Sequence, residues 1–362
     1  MDSRKNIYQD LIPRMKQDQP LALATIIETR GSTPQVAGAS AVFSEEGLVL
    51  GTLGGGIMEA DAQKRASSAL QKKKSLFYKF MLQGDGSSEE EASCGGSVAV
   101  LIDAFPSRSL QAFVDLKESL RLRRAGILAT RVDVSPGGEA AIRRLWLDPT
   151  ANQKDRPELE PFPGAPGLEE ILREGNPRVA RRTAKKGKEN QLNLLFLQPV
   201  YPLARLVIAG AGHVGQALTH LGKFLDFEVT VIDDRPEFAS RERIPEADAL
   251  IVGDIGKAVR DFPVSADTYI VIVTRGHRHD AEALNACVRS PAAYIGMIGS
   301  VRKVALMREK FLGEGWATAA EFDRVRAPVG LRIGSKTVEE IALSIAAELV
   351  LVRSRARGES RG

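Results

Sequence analysis

The clearest chemical signal in the sequence is a glycine-rich turn between a short apolar run and a helix-like segment. Gly210, Gly212 and Gly215 have the G-x-G-x-x-G spacing, and His213 lies in the same turn. Gly210 would permit the tight turn, Gly212 would let the backbone approach a phosphate, and Gly215 would let the helix pack on the strand. Asp233, which ends the next apolar run, is placed to hold a ribose hydroxyl. The pattern predicts a dinucleotide-type phosphate site.

A second glycine run lies near the start of the chain. Gly54, Gly55 and Gly56 separate a predicted strand from a helix predicted to run from Glu59 to Leu70. Three consecutive glycines are unfavourable in backbone entropy, so the structure must need bare backbone there. Two interpretations remain open. One is a tight turn with close packing, and the other is a nest of amide groups that binds an anion at the helix start.

Sulfur chemistry is a further possibility, because Cys94 stands directly before Gly95 and Gly96 and a strong predicted strand. A cysteine at the end of a strand is often a small buried hydrophobe. Beside two glycines in a loop, it is equally an accessible thiol with a role in sulfur transfer or ligand binding. The sequence leaves both interpretations open.

A stretch rich in histidine and arginine, Thr274 to Asp280, follows the most apolar strand of the second half. His277 and Asp280 form an acid/base pair or metal ligands in one interpretation, and an ordinary helix cap in the other. Two such ligands fall short of the three or four that a zinc site uses, so we predict no metal site. We also predict that the histidines of this stretch lie in a turn that precedes a helix from Ala281 to Arg289.

Other candidate ligand-binding residues lie at the ends of neighbouring strands. Arg275 belongs to the histidine-containing stretch, and Gly299 and Ser300 follow the next strand and precede a basic helix start. Ligands of open parallel sheets bind at the carboxyl ends of the strands. The Gly210 turn and these residues should therefore border one site.

The elements that must position these residues define an α/β fold with two domains. Residues 203–352 alternate apolar strands with helices, which predicts a Rossmann-like parallel sheet with helices on both faces. For residues 1–198 the sequence predicts a mixed α+β domain. This domain has a variable insert at about 148–190 that is rich in proline, glycine and charged residues. Residues 353–362 are predicted to be a flexible tail.

Composition limits the function classes. The chain has 362 residues, with 50 basic and 46 acidic side chains, and so mild an excess does not indicate nucleic acid binding. Much of the excess lies in residues 177–188 and in the tail from Arg353. We expect both segments to be solvated and poorly ordered, with an electrostatic patch for an acidic partner as the alternative. No apolar run is long enough to span a membrane and no signal-peptide pattern is present, so we expect a cytoplasmic protein with no membrane association.

Taken together, the motifs resemble those of the XdhC/CoxI family, the accessory factors of xanthine dehydrogenase and related molybdenum hydroxylases. The order and spacing of the matching pieces make the resemblance more specific than any single motif. These pieces are Glu28 to Pro34, Gly51 to Gly56 with Glu59, Cys94 to Gly96, the Gly210 turn with Val231 to Arg235, Thr274 to Asp280, Tyr294 to Ser300, and Pro328 to Gly334.

The resemblance implies a cofactor-insertion chaperone. Such a protein binds the molybdenum cofactor, protects it while a terminal oxo ligand is replaced by sulfur, and passes it to the apo-hydroxylase. The implied partners are a cysteine desulfurase and the large subunit of the molybdenum hydroxylase, and we expect a homodimer. Gly31, Ser32 and Glu59 join the cofactor-binding candidates through their place in the family motifs, and Cys94 suits molybdenum or transient sulfur as a soft ligand.

One residue departs from the family pattern. Many relatives carry a cysteine directly after the triple glycine, where this chain has Ile57. A mechanism with two thiols in that region is therefore not expected here. An NAD(P)-dependent oxidoreductase stays as the alternative function, supported by the Gly210 turn and Asp233, although no hydride-transfer pair of residues stands out. The third alternative is an interaction scaffold whose Rossmann-like half binds nothing.

Overall fold

The computed structural model of the chain describes residues 7–17, 19–82, 96–149, 167–186 and 189–356. The chain divides into two units, Met1–Pro202 and Leu203–Gly362, which we call the N-terminal unit and the C-terminal unit. Each unit has its own hydrophobic core.

The N-terminal unit begins with a five-stranded antiparallel sheet whose strand order is β3-β2-β1-β5-β4. One face of the sheet packs against a long helix, α2, because alternate small residues of β1 meet Met58, Ala62 and Ala66 on that helix. The elements of this part are α1 (Ile7–Met15), β1 (Ala22–Arg30), β2 (Ser40–Phe43), β3 (Leu48–Gly51), α2 (Gly56–Lys72), β4 (Leu76–Met81), β5 (Ser97–Asp103), a 3-10 turn (Pro106–Ser109) and α3 (Leu110–Arg121).

A second antiparallel sheet, with strand order β7-β6-β9-β8, covers the other face of the first. Ile27, Ala99 and Leu101 of the first sheet share a core with Leu194 and Phe196 of the second. The strands and the accompanying helix are β6 (Gly126–Val134), β7 (Ala140–Leu147), α4 (Leu168–Glu174), β8 (Arg178–Lys186) and β9 (Glu189–Val200). The N-terminal unit is therefore layered as helix, sheet and sheet.

Strand β8 corrects the prediction that the basic segment at 177–188 is poorly ordered. Its backbone pairs with β9 from Arg178 opposite Leu197 to Lys186 opposite Glu189. Backbone hydrogen bonds form this ladder whatever the side chains, and arginine and lysine are well tolerated on a strand with only one neighbour. The prediction failed because it considered side-chain charge alone.

The C-terminal unit contains a five-stranded parallel sheet whose strand order is β12-β11-β10-β13-β14. Helices α6, α7 and α8 cover one face, and α5 and α10 cover the other. This confirms the predicted Rossmann-like sheet with helices on both faces. The elements are β10 (Arg205–Ala209), α5 (His213–Phe224), β11 (Glu228–Asp233), β12 (Ala249–Val252), α6 (Ile255–Asp261), β13 (Thr268–Ile272), α7 (His277–Cys287), β14 (Tyr294–Met297), α8 (Val301–Gly313), α9 (Ala319–Asp323) and α10 (Val338–Ala356).

The predicted end of the C-terminal unit is corrected. Helix α10 continues to Ala356, so the predicted tail from Arg353 begins too early. Arg353 is buried, donates to the carbonyl of Leu225 at 2.8 Å and lies over the ring of Phe227. These contacts satisfy a carbonyl at the end of α5 and hold the last turn of α10. Residues 357–362 lie outside the described part of the chain.

Candidate functional site

Three glycine-containing segments of the N-terminal unit meet at one edge of its first sheet. Strand β1 ends at Arg30, directly opposite Ser97 at the start of the antiparallel β5. Strand β3 runs parallel to β1, because both pair antiparallel with β2, and β3 ends at Gly51 at the same edge. We call the segments Gly31–Pro34, Gly54–Gly56 and Gly96 at this edge the N-terminal glycine site.

The segments of the N-terminal glycine site contact each other through bare backbone. A Cβ atom on Gly96 would lie 2.0 Å from the carbonyl oxygen of Ser32, and a Cβ atom on Gly54 would lie 3.0 Å from Cβ of Pro34. The first distance leaves no room for any side chain at Gly96. The second distance would strain a side chain at Gly54. These glycines therefore allow the loop at Gly31 and Ser32 to pack against its two neighbours.

Gly55 and Gly56 differ from Gly54, because they face open space. All three have positive φ angles, of 109°, 73° and 59° in chain order, and no atom lies within 4 Å of a Cβ position at Gly55 or Gly56. Helix α2 begins at Gly56, so its first amide groups lie beside this open backbone. Of the two interpretations, close packing describes Gly54, whereas an accessible amide nest fits Gly55 and Gly56.

Glu59 fixes the shape of this loop from within α2. Its Oε2 atom accepts hydrogen bonds from Thr52 Oγ1 at 2.8 Å and from the amide of Leu53 at 3.0 Å. Thr52 Oγ1 in turn accepts from the amide of Gly54 at 3.0 Å. The Glu59 carboxylate thus positions the glycine loop. The hydrogen bonds that it accepts come from protein groups of that loop, so its role here is to shape the loop.

We predict that Glu59→Ala loosens the glycine loop. Removing the acceptor leaves Thr52 and the Leu53 amide without this partner, which should lower local stability by about 1–2 kcal/mol. Hydrogen exchange measured by mass spectrometry on peptides that span residues 52–59 should accelerate. Glu59→Gln, which keeps one acceptor oxygen, should show a smaller change. Equal exchange in the alanine variant and the unmodified protein would contradict the role assigned to Glu59.

Cys94 lies in residues 83–95, outside the described part of the chain. Its predicted role in sulfur chemistry therefore stays a prediction. The other cysteine, Cys287, is fully buried on α7, and burial raises the pKa of its thiol to about 12. Cys287 is thus a packed hydrophobic group, as its position in the helix pattern predicted.

In the C-terminal unit, the candidate residues surround the switch point of the parallel sheet. At this point β10 and β13 are neighbours, and the strand order continues from β10 through β11 to β12 on one side and from β13 to β14 on the other. Helices α5 and α7 begin directly after these strands, at His213 and His277. The prediction that these histidines lie in turns before later helix starts is wrong, because each is the first helical residue after a glycine. Both imidazoles are exposed. We call this group of strand ends and helix starts the switch-point site.

The three glycines of the turn after β10 have different surroundings. Gly210 has φ 116°, and a Cβ atom there would lie 2.4 Å from the carbonyl oxygen of Val273. A Cβ atom on Gly215 would lie 2.0 Å from the carbonyl oxygen of Gly210, whereas nothing lies within 4 Å of a Cβ position at Gly212. Gly210 and Gly215 therefore allow close backbone packing, and Gly212 leaves open space at the start of α5.

Asp233, at the end of β11, is almost completely buried, and each of its carboxylate oxygens accepts two hydrogen bonds. Its Oδ1 accepts from Arg235 Nε at 2.8 Å and from the Arg235 amide at 3.0 Å. Its Oδ2 accepts from Arg235 Nη2 at 2.9 Å and from the Ala211 amide at 2.7 Å. Burial opposes ionisation, but these donors outweigh it and hold the pKa of Asp233 below its usual range. The carboxylate is therefore ionised at neutral pH and satisfied by the protein.

Arg275 joins the two loops that flank the Gly210 turn. Its Nη2 atom lies 2.6 Å from Oδ2 of Asp234, so the pair links the loop after β13 to the loop after β11, on either side of β10. Arg275 is about half exposed. Its guanidinium is thus a cation between the loops after β11 and β13 that is partly accessible to a ligand.

Asp280 has no exposed surface and is bound on both carboxylate oxygens. Thr274 Oγ1 donates to Oδ1 at 2.7 Å, and the ammonium of Lys303 donates to Oδ2. Lys303 also donates to the carbonyl of Ile298 at 3.1 Å. The structure therefore pairs Asp280 with Thr274 and Lys303, and it does not bring Asp280 together with His277 as an acid/base pair.

The remaining candidates, Gly299 and Ser300, lie in the turn after β14. Ser300 caps α8, since its Oγ accepts from the amide of Lys303 at 3.2 Å. A Cβ atom on Gly299 would lie 2.9 Å from Cδ of Lys303, so the glycine leaves room for the lysine side chain to reach Asp280. Gly299 and Ser300 thus serve to place Lys303.

Sequence reasoning missed Lys303 and Arg235 as the partners of Asp280 and Asp233. A signal existed for Asp233, because an acid at the end of a buried strand needs a cation, and Arg235 follows it by two residues. For Lys303 the signal was weaker, because it lies on the other side of β14 in sequence. Among the described residues, no group of three or more histidine, cysteine, aspartate or glutamate side chains is arranged to hold a metal ion.

Comparison with known proteins identifies related sequences along both units. Residues 15–81 match the XdhC and CoxI family, and residues 206–349 match the XdhC Rossmann domain, which together cover more than half of the chain. Within the described residues, no helix has the length and apolar character that crossing a membrane requires.

Two relatives are similar over nearly the whole chain. The chain is 27% identical over 351 residues to a Bacillus subtilis protein that is named as a probable xanthine dehydrogenase subunit, with 96% of this chain and 98% of the relative covered. It is 23% identical over 354 residues to the Escherichia coli molybdenum cofactor insertion chaperone PaoD, with 97% and 89% covered.

A solved structure shares the fold. The crystal structure of a protein described as a xanthine dehydrogenase from Bacillus halodurans superposes with a TM-score of 0.75 and covers 98% of both chains, at 23% identity. At this identity the likeness establishes the fold alone.

Proposed function

This chain belongs to the XdhC and CoxI family, as its motifs predicted, and from that premise we propose that it binds the molybdenum cofactor as cargo and delivers it to a molybdenum hydroxylase of the xanthine dehydrogenase type. The names of its relatives support an accessory role in xanthine dehydrogenase maturation and cofactor insertion. The proposal goes further, to retention of the cofactor during sulfuration and its transfer to the large subunit of the hydroxylase.

The observation that carries the proposal is the open glycine backbone at strand ends in each unit. The cofactor is a phosphorylated pterin, in some bacteria a dinucleotide, and its phosphate groups need donors that do not crowd them. Gly55, Gly56 and Gly212 present backbone at helix starts with no atom within 4 Å of the missing Cβ. Helix starts of this kind favour phosphate, because free amide groups and the helix dipole both face the anion.

The exposed cation of Arg275 supports phosphate binding at the switch-point site. Arg275 follows Thr274, whose Cα would lie 3.0 Å from a Cβ atom on Gly210, and its guanidinium is bound to the carboxylate of Asp234. A phosphate oxygen at the start of α5 can replace that carboxylate as its partner. His213, exposed at the first position of α5, offers a further donor at the same place.

For the sulfuration step, we propose that Cys94 is the thiol that receives or holds sulfur from a cysteine desulfurase. The chain has two cysteines. Cys287 is excluded because it is fully buried and its pKa is raised to about 12, which leaves little nucleophilic thiolate at neutral pH. Cys94 is two residues from Gly96, which packs on the carbonyl of Ser32 in the N-terminal glycine site.

The test is expression in a strain that makes the molybdenum cofactor, followed by assay of the purified protein for pterin, molybdenum and nicotinamide. We expect pterin and molybdenum in comparable amounts, close to one per chain or per pair of chains. Stoichiometric nicotinamide without pterin would overturn the proposal in favour of the NAD(P)-dependent oxidoreductase, which the Gly210 turn alone supports.

We predict that Cys94→Ser separates binding from activation. The variant should retain pterin to within about twofold, because phosphate contacts do not involve the thiol, but it should lose at least tenfold in activation of the apo-hydroxylase. Cys287→Ser serves as the matched control and should activate normally if it folds. Normal activation by Cys94→Ser would exclude the thiol role while leaving the carrier role intact.

A further inference from the structure

We propose that Arg235 determines which ligands the switch-point site accepts, because its guanidinium occupies the position on Asp233 that the ribose hydroxyls of a nicotinamide dinucleotide would take. The site is thereby reserved for a ligand that is recognised through phosphate at Gly212 and not through a ribose held by β11. This inference deepens the proposed function and rests on it for the identity of the phosphorylated ligand.

The Asp233 carboxylate has no hydrogen-bonding capacity left for a ribose. A ribose-binding carboxylate at the end of the second strand must accept a hydrogen bond from the ribose 2′-hydroxyl. Both oxygens of Asp233 already accept two short hydrogen bonds each, from Arg235 and from the Ala211 amide. The side chain of Asp233 is 2% exposed. A ribose could reach it only by displacing the guanidinium.

The Arg235 guanidinium is held firmly in this position. Arg235 binds Asp233 in a two-point, charge-assisted arrangement, which is among the strongest side-chain pairings. Its Cζ atom also lies 3.7 Å from the ring centroid of Phe238, so the group is clamped between a carboxylate and an aromatic face. Displacement would break both contacts and leave a buried carboxylate without its cation.

An arginine near this strand end can also bind the 2′-phosphate of NADP. Here Asp233, Asp234 and Glu237 all interact electrostatically with the Arg235 guanidinium. Neighbouring carboxylates therefore already neutralise Arg235, and its Nε and Nη2 are bound to Asp233, so a 2′-phosphate would have to displace Asp233 to use this cation. The geometry therefore disfavours NADP as well as NAD.

The loop after β13, on the other side of β10 from Asp233, carries a partly exposed cation. Arg275 in that loop is about half exposed, and Gly212 leaves open space at the start of α5. The Rossmann-like unit thus has the features that bind phosphate, which are Gly212 and Arg275. Its carboxylate at the ribose position, Asp233, is instead paired with Arg235. This combination suits a ligand that presents a phosphate or pyrophosphate group and extends away from β11.

The experiment is isothermal titration calorimetry with NAD, NADP and inorganic pyrophosphate. For the unmodified protein we expect pyrophosphate binding, with Kd values above about 1 mM for NAD and NADP. Arg235→Ala should bind NAD at least tenfold more tightly, because it frees Asp233, and the gain should vanish in Asp233→Asn/Arg235→Ala. Arg243→Ala is the matched control, since Arg243 also lies over Phe238, and it should behave like the unmodified protein.

Arg235→Lys covers the case in which the alanine variant does not fold. Lysine keeps a cation beside Asp233 but cannot occupy both oxygens, so NAD binding should improve several-fold. Binding of NAD or NADP to the unmodified protein below about 100 μM would overturn the inference, as would a folded Arg235→Ala protein with no gain. The pterin assay remains separate, because NAD binding by the unmodified protein would refute the role of Arg235 without deciding whether the protein carries the molybdenum cofactor.

Discussion

Replacing Asp280 by alanine is expected to lower the stability of the C-terminal unit by about 3–5 kcal/mol, because the substitution leaves the Lys303 ammonium buried without its carboxylate. The Asp280 side chain has no exposed surface and that of Lys303 is 13% exposed. The Thr274 hydroxyl also loses its acceptor. Hydrogen exchange of peptides from β13 and α7, measured by mass spectrometry, should accelerate strongly, while exchange in the N-terminal unit stays unchanged.

A double-mutant cycle with Lys303→Met makes this test specific. Lys303→Met alone should also destabilise the unit, because it leaves the Asp280 carboxylate buried without a cation. The double variant Asp280→Ala/Lys303→Met should be less destabilised than the sum of the single changes by about 2 kcal/mol or more, since it removes both charges together. If Asp280→Ala left stability unchanged but abolished activation of the hydroxylase, Asp280 would be a catalytic group and the structural role would be wrong.

Gly212→Asp is expected to have the largest effect on cofactor retention. No atom lies within 4 Å of a Cβ position at Gly212, and its backbone has φ −69°, which any residue adopts. The variant should therefore fold. Its carboxylate would stand at the start of α5, where we propose that phosphate binds, and repulsion of about 2 kcal/mol should weaken cofactor binding about thirtyfold. Bound pterin per chain after purification is the measurement.

Gly212→Asn is the control for Gly212→Asp, because asparagine has nearly the same shape without the charge. It should retain several-fold more pterin than the aspartate variant. Equal retention by the two variants would show that bulk and not charge matters at this position. Full retention by a folded Gly212→Asp protein would remove the start of α5 from the cofactor site and leave the N-terminal glycine site as the remaining candidate.

The C-terminal sheet was predictable from sequence because its strands are buried on both faces. Strands β10 and β13 are continuous apolar runs with nearly every residue buried, and the Gly210 turn marks where the first of them ends. The order of glycine-containing motifs then identified the family. These features are local in sequence, so a pattern of a few residues suffices to recognise them.

Other features depended on contacts between distant residues. The pairing of Asp280 with Lys303 joins two helix starts across β14, and no local pattern indicates it. Strand β8 exists because β9 offers it a backbone ladder, although its side chains resemble a solvated segment. His213 and His277 were predicted to lie in turns although they begin α5 and α7, because the glycines and histidines there weaken the helix pattern.

Strand β8 also bears on how copies of this chain can associate. In the described part of its sheet it is a terminal strand with one neighbour, and the unpaired amide and carbonyl groups of such a strand can template pairing with a second molecule. Arg178, Arg181 and Arg182 are exposed along it. Long charged side chains hinder the flat edge-to-edge stacking that leads to continuous intermolecular sheets and aggregates. The homodimer that we expect should therefore be built through another surface.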